Sequence, residues 1–130
     1  MFRPRGPGSV SIPLISLPGL ALASNRTEKL LELLRVYRVD RIALHSLVYL
    51  LQEVYGVDLG YRGCRWELYA TGPFCRELET DLWELIEAGR VRVGTRGVLE
   101  PAELTARPRA EINGARLIRE AWSIFLARAG

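Results

Sequence analysis

Apolar residues recur along this chain with two periods, one near 3.6 and one near 2, and the alternation between them predicts its elements. From Asn25 onward, Leu30, Leu33, Leu34 and Tyr37 share one helical face, and Leu31 widens it. Asn25 followed by Glu28 is a capping box, so a helix is predicted over 25–38. Asp40 caps a second helix over 41–55, whose stripe is Leu44, Leu47, Val48, Leu51, Val54 and Tyr55. Ile42 and Leu50 lie outside that stripe, so this helix is expected to be central and touched from two sides. Gly56 ends it as a left-handed C′ residue.

After a loop with Gly60, Tyr61 and Gly63, the period changes to two. Trp66, Leu68 and Ala70 alternate with Arg65, Glu67 and Tyr69, a half-buried strand. Thr71-Gly72-Pro73 closes it, with Pro73 at the first position of a third helix over 73–88. That helix carries Phe74, Leu78, Leu82, Leu85 and Ile86 on one face and stops at Gly89. Residues 90–93 and 98–100 then read as strands joined by Gly94-Thr95-Arg96-Gly97, a hairpin turn. A linker with Pro108 leads to a last helix over 109–128. Its apolar residues, Leu117, Ile118, Ala121, Trp122, Ile124, Phe125 and Leu126, cover more than half its circumference.

This order predicts a mostly α, α+β domain of winged-helix type. A loop replaces the usual short second helix, and the core spans 24–101, with a linker and C-terminal helix at 102–130. Residues 1–23 hold four prolines and three glycines, which suits an extended arm. Arg3 and Arg5 ahead of an apolar stretch ending Ala21-Leu22-Ala23 have the outline of a secretory signal. Pro13 and Pro18 break its apolar core, so the stretch reads as an arm lying across the domain or a partner.

Composition adds limits. One domain accounts for 130 residues, and 48% apolar content is ample for one core. The net charge of +3 alone does not mark a nucleic-acid binder. The bases are 17 arginines and Lys29, a bias that fits a GC-rich genome and a thermophile. Cys64 and Cys75 are separated by ten residues without a CxxC, and His45 is the sole histidine. This lacks zinc-site spacing, so free thiols in a reducing cytoplasm are expected. No run reaches the ~20 apolar residues that span a bilayer.

The chemistry that remains is binding. One histidine supplies no metal pair, no nucleophile is paired with it in sequence, and no glycine-rich phosphate loop is present. Catalytic residues, metal, cofactor and small-molecule substrate are therefore all expected to be none. A di-carboxylate site at Glu77 and Asp81 reads instead as part of a solvated acidic face that also holds Glu79, Glu84 and Glu87. At on the order of 1 kcal/mol per carboxylate near a phosphate, those five argue against inserting this helix into a DNA groove. Arg90, Arg92 and Arg96 on the hairpin argue the other way. Arg62, Arg65, Arg3 and Arg5 extend that nucleic-acid candidate set, unless the acidic helix pairs with the wing. For a protein interface the candidates are Trp83, Glu79 and Glu87, with Trp122 and Phe125 on the last helix. Trp83, at the edge of the acidic face, reads first as the floor for another segment such as the arm or last helix and second as an exposed anchor. The spare face of that helix is either a homodimer or partner seam or a cover for the arm.

One resemblance joins these residues. Leu44-His45-Ser46-Leu47-Val48-Tyr49-Leu50-Leu51, Gly60-Tyr61, and Gly72-Pro73-Phe74 leading to Gly89-Arg90-Val91 resemble the YwgA-like small prokaryotic proteins. The same stretch, about Arg41 to Val93, is more distantly similar to the Panacea (SocA-type) antitoxin domain. It departs from the family pattern at the absent lysines, at Gly63 in place of Phe, at Gly72 without an adjacent aromatic, and at Cys75 in place of Ser. The resemblance implies a winged helix, no catalysis and work through protein contacts. The expectation is thus a cytoplasmic, non-enzymatic protein-binding module, adaptor- or antitoxin-like, with a DNA-binding regulator as the alternative.

Overall fold

In the computed structural model, the described residues are Ile12, Leu20, 25–103 and 109–129. The expectations for Arg3, Arg5 and most of the arm lie outside them. Helix α1 is Arg26–Val36, capped where the Asn25 side chain accepts from Glu28 N–H at 2.9 Å. The Glu28 carboxylate, expected to reach back in the capping box, instead meets Arg90 at 2.7 Å. Tyr37 leaves the helix for β1, Tyr37–Arg38. Asp40 caps α2, Arg41–Glu53, by accepting from Ala43 N–H at 2.8 Å. Leu44, Leu47, Val48, Leu50 and Leu51 on α2 are all buried, which makes it the hydrophobic post of the domain. Leu50, off the main stripe, is buried because α2 is packed from two sides. Ile42 escapes and is 41% exposed.

The next segment corrects the sequence reading. Strand β2 is Glu67–Tyr69, and it pairs antiparallel with β3, Gly72–Phe74, in the register Leu68↔Pro73. Gly72, at φ +102°, supplies the reversal, and a Cβ there would stand 3.0 Å from Ser46 Oγ. Pro73 is therefore a strand residue and not the first of a helix. Helix α3, Arg76–Glu87, starts later, with Cys75 as its N-cap. Gly89 at φ +76° stops it as expected.

Strands β4, Val91–Val93, and β5, Leu99–Pro101, form the anticipated hairpin, joined by a 3-10 turn at Thr95–Gly97. Positive φ falls on Arg96 and Gly97 and not on Gly94. A Cβ at Gly94 would come within 2.8 Å of the Glu100 carboxylate, which could swing aside at the end of its flexible side chain. Leu99 N–H donates to Val39 C=O at 2.9 Å and Asp40 bridges Val98, so the segment before α2 extends this hairpin.

The last helix, α4, is Gly114–Ala129 and begins after Arg109 because 109–111 has another use. Ala110–Glu111 is β6, parallel to β1, and the Arg109 guanidinium donates to both Tyr37 C=O and Leu99 C=O. Asn113 then caps the helix through Arg116 N–H. Helix α4 packs on α2 and β3, with Leu117 and Ala121 buried. Ile12 of the arm is buried in the same core and Leu20 packs against it. The result is a small α+β domain, and no helix among the described residues is long and apolar enough to cross a membrane.

Candidate functional site

Large apolar side chains left in water are the clearest mark of a binding surface, since their exposure forgoes burial energy. Ile42, Tyr69, Trp83 and Val93 are exposed to between 41% and 53%. They come from four elements, α2, β2, α3 and β4, and gather at one end of the domain. Two adjoining hollows connect them, sharing Arg41 and Ile42 in their walls. One, of about 330 Å³, runs from Ile42 past His45 and Phe74 to Tyr69. The other, of about 320 Å³, lies between Ile42, Trp83, Val93 and Arg96.

A polar chain beneath holds this face in shape. Cys75 N–H donates to His45 Nδ1 at 3.1 Å, so the neutral ring carries its proton on Nε2 and donates it to Glu79 at 2.8 Å. Glu79 also accepts from Trp83 Nε1 at 2.9 Å and is paired with Arg41. Burial holds His45 below its ordinary pKa, against the opposing pull of Glu79. Burial pushes the Glu79 carboxyl up, but His45, Trp83 and Arg41 together outweigh it and hold the group low. The Trp83 indole is thereby fixed by its polar edge while its ring stays half in solvent. His45 stacks on Phe74, with centroids 4.4 Å apart, and Phe74 stacks on Tyr69 at 4.6 Å.

Helix α3 is less acidic outside than its sequence suggested. Asp81 is buried, where it accepts from Tyr61 O–H at 2.6 Å and pairs with Arg26 at 2.6 Å. Glu79 is turned into the network, which leaves Glu77, Glu84 and Glu87 as the exposed carboxylates of the five. Glu79 therefore supports this face from beneath and is not on its surface. Glu87 is exposed, and Trp83, which could equally have been the floor for another segment, is left 46% exposed.

The arginines of the β4–β5 hairpin divide. Arg90 is bound to Glu28, and Arg92 reaches Glu100 across the hairpin at 2.9 Å. Neither pairs with the acidic helix. Arg96, at φ +60°, has no ion-pair partner among the described residues and stands beside the Trp83 hollow. Arg62 donates to Gly56 C=O at 3.1 Å, and Arg65 lines a different hollow that shares no residue with the Trp83 one. Trp122 and Phe125 on α4 are half-buried, with Phe125 against Tyr49 at 5.8 Å, and Leu126 is 50% exposed.

The cysteines are not free thiols. Cys64 and Cys75 form a disulfide with Cα atoms 6.1 Å apart, which overturns the reduced-thiol reading and its argument for a reducing compartment. The loop that closes it is pinned by Gln52 Oε1, which accepts from both Leu59 N–H and Tyr61 N–H. Glu77 completes the one group of metal-ligand type found among the described residues, but both sulfurs are already bonded to each other. Ile42, Tyr69 and Val93 were not singled out in the sequence, and only Ile42 gave a signal there, as an apolar residue off its helix stripe.

Comparison of the chain with protein-family models, curated proteins and solved structures finds no significant match.

Proposed function

We propose that this is a non-enzymatic winged-helix module that docks a protein partner on the Ile42–Tyr69–Trp83–Val93 face. The observation that carries the reading is the convergence of four exposed apolar side chains around a hydrogen-bonded tryptophan. Trp and Arg are the residues that most often dominate binding energy, and Trp83 is flanked by Arg96, which has no ion-pair partner among the described residues. A partner segment with apolar anchors and a carboxylate complements this surface. The winged-helix assignment draws support from the element order α1, α2, α3, β4, β5 and from the Val39–Asp40 segment that joins the hairpin. Kinship with the YwgA-like and Panacea proteins belongs to the same proposal, whereas the Cys64–Cys75 disulfide weighs against the expected cytoplasmic location.

A photo-crosslinking residue at position 42, used in cells, tests it. A discrete protein adduct that Trp83→Ala abolishes, with none from the same residue at position 126, is the expected result. Equal adducts from both positions would overturn the face assignment.

The second reading is DNA binding through the wing, favoured by Arg96, without an ion-pair partner among the described residues, and by an α3 surface reduced to three exposed carboxylates. Its test is a shift assay on generic duplex DNA at rising salt. Binding that weakens steeply with salt and is lost in Arg90→Ala/Arg92→Ala/Arg96→Ala would displace the protein-docking reading, and no shift at low salt would sink this one.

A further inference from the structure

The two sulfurs of the disulfide sit in unequal surroundings. Cys75 has no exposure, whereas Cys64 is partly exposed. Cys75 is also the N-cap of the 12-residue helix α3, and its Sγ accepts from Leu78 N–H at 3.4 Å. A thiolate released at that position keeps this donor and faces the positive end of the helix dipole. On the other side, Glu77 Oε1 stands 3.1 Å from Cys64 Sγ, where it can accept the S–H of a reduced Cys64. Both products of opening the bond therefore have hydrogen-bond partners already in place. The Leu78 amide and helix dipole offset the Glu77 carboxylate, whose Oε1 also stands 3.7 Å from Cys75 Sγ.

Glu77 also forms part of the wall of a hollow of about 540 Å³. Arg65, next to Cys64 in sequence, lines it together with Arg26, Arg76, Glu67 and Thr80. Arg26 is committed to Asp81, and Arg76 is only loosely paired with Glu67 at 3.9 Å. Arg65 has no ion-pair partner among the described residues. The hollow thus offers guanidinium groups for carboxylates and Glu67 and Glu77 for an ammonium, beside an accessible sulfur.

We propose that Cys64 is a thiol-exchange site for a small zwitterionic peptide thiol of the glutathione class, with Cys75 as the leaving group. The incoming thiolate forms a bond to Cys64 Sγ, the Cys64–Cys75 bond breaks, and its electron pair stays on Cys75 as a thiolate capped by Leu78 N–H. A second thiolate then attacks the small-molecule sulfur of the adduct, leaves as the small-molecule disulfide, and expels Cys64 as a thiolate that takes a proton from water and, as a thiol, donates to Glu77. The two thiols supply both electrons, so no other reductant enters. Exchange rate depends on sulfur access and on leaving-group stability, and both favour this direction of attack. The proposal stands apart from the docking face and does not depend on it.

The test uses the folded full chain with reduced glutathione or with neutral 2-mercaptoethanol at equal thiolate concentration, followed by acid quench, alkylation and peptide mass spectrometry. The expected result is a glutathione adduct on the Cys64 peptide, formed severalfold faster than the 2-mercaptoethanol adduct, with the advantage lost in Arg65→Ala. In Cys75→Ser, where serine preserves the cap, oxidised glutathione loads Cys64 and the adduct persists. Reduction that begins only at denaturant concentrations that unfold the chain would overturn the proposal. So would an adduct on Cys75, or equal rates for the two thiols.

Discussion

Asp81 offers the sharpest test of the fold, because sequence places it on a solvated acidic face and the structure places it inside. Its carboxylate accepts the Tyr61 O–H and pairs with Arg26, whose side chain is 42% exposed. Tyr61 is 1% exposed, and burial first, then the Asp81 carboxylate, push its phenol well above the ordinary value. Asp81→Ala leaves that hydroxyl buried without its acceptor. A hydrogen bond to a charged group contributes about 1.5–3 kcal/mol. The Arg26 pair adds about 0.5–1 kcal/mol, discounted because the guanidinium is half in water. The sum is a loss of about 2–4 kcal/mol. With unfolding entropy near 2.1 cal/mol/K per residue, a 130-residue chain melts about 11 °C lower for a 3 kcal/mol loss. Asp81→Asn keeps an oxygen for Tyr61, and roughly half the effect is expected. Urea denaturation of Asp81→Ala, Tyr61→Phe and the double variant measures the coupling, expected to exceed ~1 kcal/mol. A loss under ~1 kcal/mol for Asp81→Ala, or strict additivity with Tyr61→Phe, would refute the buried placement.

Gly72→Ala is expected to cost about 1–3 kcal/mol, since φ +102° is strained for alanine and its Cβ crowds Ser46 Oγ. Gly56→Ala, at φ +70° in open space, costs about 1 kcal/mol; the two midpoints, compared in urea, separate crowding from backbone strain. Because the folded His45 binds its proton less readily than the unfolded chain, stability falls as pH drops from about 6.5 toward the folded pKa. His45→Gln should flatten that slope. Glu79, held below 4.5, acts in a lower window, losing its contribution as pH falls through its folded pKa. Trp83→Ala should leave stability within ~1 kcal/mol in a thermal melt while abolishing the position-42 adduct, because its ring is half in solvent.

What was legible in the sequence followed from local rules. Caps at Asn25 and Asp40, the stops at Gly56 and Gly89 and the hairpin 91–101 depend on residues within a few positions of one another. The misread stretches depend on distant partners. Pro73 suits a helix start, yet Gly72 reverses the chain and sets Pro73 opposite Leu68. Arg109 looks like the first residue of a helix, but two carbonyls from separate elements claim its guanidinium. Glu79 and Asp81 look solvated because the partners that take them inward, His45, Tyr61 and Arg26, lie 20 to 55 positions away. Trp83 stood out by type and by its place beside the stripe, but sequence alone left open whether another segment covers it. Its companions Tyr69 and Val93 were not, since exposure of a strand residue depends on what the neighbouring elements leave uncovered.

The parallel pairing of β1 with β6 has a consequence in time. It joins Tyr37 to Ala110, and Arg109 ties the same place to Leu99. Closing so long a loop is slow relative to forming helices, and its entropy must be spent before the contact returns anything. On a ribosome, α1 and α2 emerge well before their last strand partner does. The hairpin of the nascent chain can already lean on Val39 and Asp40, but the joint between Tyr37 and Leu99 gains its guanidinium clasp only after residue 109 has emerged, so this seam is the last part of the domain to close.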